Sequence, residues 1–432
     1  MRTNTGKRSP VTRTAYQEPG EDAPSVVVPS KPAPAAKVQR NPAPEPSYTP
    51  VEPPMPQMSQ PLYREHLAWD TDAGTCATGE CMPQDCWIST WAKFDYLLWW
   101  RSGMDLPPLV TTAAPGTAQA NAGLLGLPTT SNLYGGEREE FPVRPGGRLE
   151  LGMWFDRSEC LGIGGRFFRL GDADATYSAL STGSPILAIP FTEGFNGTNN
   201  ARLIGFPGTF NGNLNVTMSS EFMGGDAYLR TEWCRPHWGR IDLIGGYQFV
   251  RINEGLTIDS TVSDNLGATN RIIDNFQTRN EFHGGQIGFL ANVDQGCWSL
   301  DMLAKVGLGN MQEEVTISGQ GITTVGSSQA TIASGLFTQP TNIGTYSRNQ
   351  FVAIPELGVN VAWHATQCLD LNVGYTAIYY SSVIRPNGAL DTTVNTTQVN
   401  GGTLSGPARP AFSFDETSMV VHGLSFGATF KW

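Results

Sequence analysis

The sequence has no run that approaches the 18 or so uninterrupted apolar residues of a membrane helix, and no helical periodicity outlasts a short stretch. A helical membrane protein is thereby excluded. Charge is also scarce: 16% of the 432 residues are Asp, Glu, Lys or Arg, and 28 basic side chains face 39 acidic ones, for a net charge of -11. Nucleic acid, whose phosphates demand a basic surface, is not an expected partner. Lysine is rare beside arginine, which fits either bidentate Arg–carboxylate pairs in a confined space or a compositional habit of the source. An export signal is missing too. Residues 1–17 carry Arg2, Lys7, Arg8 and Arg13, but no apolar segment follows. The start is misassigned, the signal has been removed, or the chain is not exported; a misassigned start is the expectation, because every later feature asks for export.

What is present is alternation. From His422 to Trp432 the residues Leu424, Phe426, Ala428, Phe430 and Trp432 share one face, against small or polar residues on the other. One such strand would suit a soluble sheet equally well. The pattern, however, returns at 91–100, 148–156, 161–168, 227–233, 241–249, 276–293, 298–308, 351–363 and 369–379. About ten strands of this kind, each needing only about 10 residues to cross lipid, are expected to form an all-β, transmembrane, antiparallel up-and-down β-barrel in the outer membrane. Twelve strands are possible if 186–206 adds a hairpin. Lipid is then the first partner.

The connections alternate between short turns at 157–160, 234–237, 294–297 and 364–368 and loops of roughly 25 to 50 residues rich in Gly, Asn, Thr and Ser. Short periplasmic turns, long external loops and an even strand count place both termini in the periplasm. Trp91, Trp233, Trp238, Trp298, Trp363 and Trp432 fall beside the short turns or termini, as an aromatic girdle at one interface would require. Apolar positions change phase at Gly224-Gly225 and Gly284-Gly285, which predicts bulges there. The polar face supplies the lumen candidates Asp226, Arg230, Glu232, Asp242, Asp301, Lys305, Glu356, Asn360, Asp370 and Asn372. Their mixed signs suggest ion-pair ladders.

Residues 1–62 are Pro-rich and cannot bury enough apolar surface to offset ordering entropy, so a disordered tail is expected, a featureless linker or a tether to a periplasmic or cell-wall partner. Residues 63–90 form a cysteine-containing periplasmic linker, and the barrel occupies 91–432. Cys76, Cys81 and Cys86 lack the adjacent fourth ligand of a zinc site, so disulfides are the better reading. Cys160, Cys234, Cys297 and Cys368 occupy the four short turns, one each. Neighbouring turns stand roughly 10 Å apart, beyond a disulfide's reach, which favours bridges from the linker to the turns over bridges between turns; the alternative is that the turn thiols stay reduced. His66, His237, His283, His364 and His422 form no metal set. No metal site, no cofactor and no catalytic residue is expected, since His283 with Glu281 is a poor match for a His–Asp pair.

From about Trp87 to Trp432 the chain resembles a planctomycete outer-membrane porin family, beta barrel porin type 7. The resemblance rests on Tyr96-Leu97-Leu98-Trp99-Trp100 followed by Pro107-Pro108-Leu109-Val110-Thr111, and on Gly147-Arg148-Leu149-Glu150-Leu151-Gly152. It continues in Gly245-Gly246-Tyr247, Asn280-Glu281-Phe282-His283-Gly284-Gly285-Gln286-Ile287-Gly288, Pro355-Glu356-Leu357-Gly358, Gly374-Tyr375 and Arg385-Pro386. It implies an outer-membrane barrel and transfers no catalytic residue. The functional expectation is a narrow porin for passive diffusion of small solutes. The alternative is a non-conducting structural or adhesion barrel displaying long external loops. Ten strands stand nearer the filled eight-stranded barrels than the aqueous channels of 16 to 18. Oligomeric state is open.

Overall fold

The computed structural model describes residues 89–432. The expected Pro-rich tail, nearly all of the linker, His66, Cys76, Cys81 and Cys86 lie outside them. Ten strands alternate their apolar faces as expected: β1 (Ser89–Arg101), β2 (Arg144–Trp154), β3 (Leu161–Ser181), β4 (Phe210–Cys234) and β5 (Arg240–Asp264), then β6 (Ala268–Gln295), β7 (Trp298–Val325), β8 (Gly344–His364), β9 (Leu369–Ile384) and β10 (Glu416–Lys431). Each pairs antiparallel with the next. The last returns to the first, from Trp91↔Lys431 to Arg101↔Val421, so the sheet closes into a barrel without edges.

Around the ring one face of each strand carries large exposed apolar side chains. Leu229 is 56% exposed, Leu357 62% and Val373 51%, while their inward neighbours Tyr228, Glu356 and Asn372 are buried. In water such a band would be an aggregation surface; against acyl chains it is the matched face. The protein is an outer-membrane barrel.

Four strands are much longer than a bilayer requires. β4 and β5 have 25 residues each and β6 and β7 have 28. Since 9 to 11 residues cross the lipid, each of these four strands has roughly 50 to 60 Å of its own length outside it.

The phase change at the Gly pairs has a cause other than a bulge. Pairing runs without a shift through Gly224↔Val250, Gly225↔Phe249, Gly284↔Gly309 and Gly285↔Leu308. Leu214, Val216, Met218 and Phe222 point inward, and so do Asp226, Tyr228 and Arg230 in unbroken alternation. What reverses is the medium. Lipid makes the outer face apolar along one part of the strand, and water outside makes the inner face apolar along the rest. The expected bulges at these Gly pairs are therefore absent; on β4 register shifts occur between Ser220 and Phe222 and between Glu232 and Cys234. Glycine is needed for packing instead, because a Cβ on Gly224 would stand 2.8 Å from the Phe168 ring.

Short turns gather at one end with both barrel termini, where the Thr90 amide donates to the Trp432 carbonyl at 2.9 Å. At the other end, long connections at 102–143, 182–209, 326–343 and 385–415 fold back over the mouth. The expectation of loops of roughly 25 to 50 residues in the remaining gaps fails at 326–343, which is shorter, and outright at 265–267, which form a tight turn with Asp264 accepting from the amides of Leu266 and Ala268. The length missing there went into the strands.

The long connections make a cap. Strands Val110–Ala113, Thr130–Tyr134, Leu187–Glu193, Asn199–Gly205 and Thr393–Val394 build a five-stranded sheet. The extra hairpin that would have made twelve strands is real, but Leu187–Glu193 and Asn199–Gly205 pair in this sheet and not in the barrel. Leu187, Ile189 and Ile204 of the cap pack with Leu214, Ile258 and Phe276 of the extended wall into one buried core.

Candidate functional site: the lumen

At the turn end, the Trp154 ring lies under two guanidiniums, with Arg230 Cζ at 4.7 Å and Arg240 Cζ at 4.5 Å from its centroid. Both arginines bind Asp242, Arg230 at 2.5 Å and Arg240 at 2.6 Å. Trp91 packs against Trp154, with ring centroids 5.5 Å apart. Its expected place in the girdle is thus corrected: Trp91 is in phase with inward-facing Asp95, Leu97 and Trp99, and closes the mouth. Trp233, Trp238, Trp298, Trp363 and Trp432 are all exposed on the outside near the turn end.

Deeper in, four charges meet. Arg166 on β3 binds Asp226 of β4 at 2.8 Å and Glu356 of β8 at 2.7 Å. Lys305 on β7 binds Asp226 at 2.7 Å, Glu356 at 3.3 Å and Gln286 at 2.7 Å. Two positive and two negative groups balance, which a dry interior requires. In a ring of ten, β3 and β8 stand opposite each other, so the Arg166–Glu356 pair spans the full width.

Beside this cluster the seam between first and last strands is stitched from inside. Asp95 on β1 accepts from Arg148 Nε at 2.8 Å and from Asn372 Nδ2 at 2.7 Å. Arg148 also reaches Thr376 and Ser425, each at 3.4 Å. Four strands, β1, β2, β9 and β10, are joined by this network.

An apolar layer follows, to which nine of the ten strands contribute, among them Trp99, Phe168, Phe222, Phe282, Val352 and Tyr380. The Phe222 and Tyr380 rings meet edge to face at 5.9 Å. They sit on β4 and β9, again opposite strands. Two successive layers are therefore bridged from wall to wall, one by ions and one by aromatics.

The remaining lumen candidates lie near the turn end. Asp301 accepts from Asn292 at 2.8 Å and from Asn360 at 3.3 Å, and Asp370 holds both His364 and Lys431 at 2.7 Å. Glu232 binds Arg235 at 2.6 Å on the rim. Sequence reasoning missed Arg166, Arg148, Asp95 and the whole apolar layer. Its signal was the phase reversal read as a bulge.

His283 lies 3.3 Å from Glu281 on the outer wall, in phase with the lipid-facing residues, not in a cleft. Its Nδ1 meets the Tyr247 hydroxyl at 2.5 Å. His422 makes the like contact with Tyr375 at 2.9 Å and stacks on Trp100. His283 and His422 together mark a second aromatic rim at the loop end of the lipid band.

Of the turn thiols, Cys160 and Cys234 are free and exposed, and Cys297 and Cys368 are disulfide-bonded.

A closed ten-stranded ring, a lipid-facing belt and a charge-balanced interior define an outer-membrane β-barrel. The family described as "Putative beta barrel porin-7" matches residues 91–432, and the chain belongs to it. The chain also aligns with solved structures at low identity. The outer membrane protease OmpT of Escherichia coli has 9% identity over 81% of this chain and 99% of its own, with a TM-score of 0.40. A FadL homologue of Pseudomonas aeruginosa has 6% identity over 80% and 90%, with a TM-score of 0.21. The toluene transporter TodX of Pseudomonas putida has 8% identity over 81% and 90%, with a TM-score of 0.13. No curated protein matches the chain.

Proposed function

We propose that the protein is a sealed barrel whose function is exerted by the folded cap at its loop end, and not a passage for solutes. The loop end faces outward from the cell and the turn end faces the periplasm, because folded connections of this size suit the external side. The observation that carries the proposal is the double wall-to-wall contact in the lumen, Arg166–Glu356 at 2.7 Å and Phe222–Tyr380 at 5.9 Å. Side chains fill barrels of eight strands, and ten with this many large inward residues remain in the same regime. The cap then acts as an anchored surface for a ligand, matrix or neighbouring cell. The outer face of the extended wall beside it supports this, with Thr176, Thr217, Thr257, Asn275 and Ser318 side by side across β3 to β7. Planar-bilayer recording tests the proposal. The wild-type protein is expected to give no unitary current in concentrated potassium chloride, and the triple variant Arg166→Ala, Phe222→Ala, Tyr380→Ala is expected to leak. Resolved unitary steps from wild type would restore the narrow diffusion pore.

A further inference from the structure

Between the apolar layer and the cap lies a buried group of charges that does not balance. Arg101 ends β1, Arg144 begins β2, Arg385 follows β9 and Glu254 lies on β5. The side chains of Arg101, Arg385 and Glu254 are 2%, 3% and 0% exposed, and Arg144 as a residue is 1% exposed. Glu254 is already used by Arg385, which binds one oxygen through Nε at 3.0 Å and the other through Nη2 at 3.2 Å. Arg385 Nη1 donates to the Gly103 carbonyl at 2.6 Å. Arg144 is met by neutral oxygens, the Gly171 carbonyl at 2.7 Å, the Ser220 hydroxyl at 3.1 Å and the Ser220 carbonyl.

Arg101 has only one of its nitrogens placed, Nη1 on the Glu254 oxygen that Arg385 also holds. Its Nε and Nη2 are buried without a protein partner. The Phe141 ring covers the guanidinium, its centroid 3.5 Å from Cζ. A ring face stabilises the cation but accepts none of the in-plane N–H groups. Two guanidiniums thus share one buried carboxylate, and Arg144 has neutral partners, the acidic Asp172, Asp174 and Glu221 near it being exposed. The nearby Asp105 and Glu140 side with water, since both residues are exposed. An unneutralised buried cation with open donors is costly.

The geometry points to a bound small oxyanion, of the phosphate, sulfate or carboxylate type, held by the Nε and Nη2 edge of Arg101 where the cap meets the barrel. That edge presents two parallel N–H groups, which match two oxygens of such an anion. Because Phe141 and Gly103 belong to the first long connection and Arg385 to the last, the anion would tie both to the wall. This inference does not depend on whether the lumen conducts.

Thermal unfolding of the full chain in non-ionic detergent tests it, with inorganic phosphate, sulfate and chloride titrated separately into dilute buffer. For wild type a saturating rise of several degrees is expected with phosphate or sulfate. Arg101→Gln leaves Glu254 neutralised by Arg385, so it should be at least as stable as wild type without added anion and should show no saturating response. Two results overturn the inference. One is a parallel, unsaturated rise in both proteins, which is the general salting effect of these anions. The other is an Arg101→Gln protein that is less stable by the same margin with and without anion, which would make Arg101 a structural cation whose open donors are met by water.

Discussion

The central ion cluster is held by compensation, and the loss of one member should cost far more than the loss of a pair. Arg166→Met leaves Asp226 and Glu356 with Lys305 alone, one negative charge in excess. Breaking a buried ion group by removing one partner costs about 3 to 5 kcal/mol. Arg166→Met with Glu356→Met leaves Lys305 and Asp226 paired at 2.7 Å and should recover most of that loss. Urea unfolding of the two variants in detergent checks this, and equal midpoints would show that the cluster is not coupled. A second residue acts through titration. Asp274 on β6, well beyond the lipid band, accepts from the amides of Leu336 at 3.2 Å, Phe337 at 2.9 Å and Thr338 at 2.9 Å, and from the Thr338 hydroxyl at 2.7 Å. Burial pushes its carboxyl up to about 6 despite those donors. A folded-state value above the unfolded one means that the buried state is favoured by protonation. The contribution is complete below the unfolded value and lost as pH rises through about 6. Across that window the 326–343 connection should tighten on acidification by up to about 1.4 kcal/mol per pH unit. Hydrogen exchange at Leu336 to Thr338, corrected for intrinsic rate, reads it, and Asp274→Asn should remove the dependence.

At the scale of elements, the lipid-crossing segments were legible because lipid imposes a period of two with one strictly apolar face. The extended parts of β4 to β7 were not, because their apolar face is the inner one. The same letters, Leu214, Val216 and Met218, look like a strand in a new register until the pairing shows that nothing has shifted. Loop composition misled in a similar way. Gly, Asn and Thr between 250 and 275 read as loop, yet Thr257, Asn275 and their neighbours pair along a regular sheet whose outer face meets water. Among the charged lumen residues, Asp226, Lys305 and Glu356 were found from alternation alone, whereas Asp95, Arg148 and Arg166 were not. Which of them touch across the barrel was not legible, because that depends on strand order around a closed ring. The cap gives a prediction of its own. Chymotrypsin added to intact cells should cut first at Leu266, which is 94% exposed on the turn between β5 and β6, and spare Leu187 and Phe191, buried in the cap core. Cutting within the cap sheet ahead of Leu266 would mean that the cap is not folded over the mouth, and protection of all three would reverse the orientation.

At the scale of the molecule, the interior is a stack. Tryptophan and arginine close the turn end, balanced ions and then an apolar layer fill the middle, and the cap core lies beyond. Each layer draws on strands far apart in sequence, so none is complete in a fragment of the barrel. The seam carries this furthest. Asp95 and Arg148 lie in the first two strands, but their partners Asn372, Thr376 and Ser425 lie in the last two. During synthesis the early strands therefore wait, holding a carboxylate and a guanidinium whose full set of partners has not been made. Pairing of β1 with β10 and completion of the inner network coincide, which makes closure a late, all-or-none event. A chain stopped short of β9 would have an open edge on its outside and an unfinished polar network within, two marks by which an assembly machine could tell an incomplete barrel from a finished one.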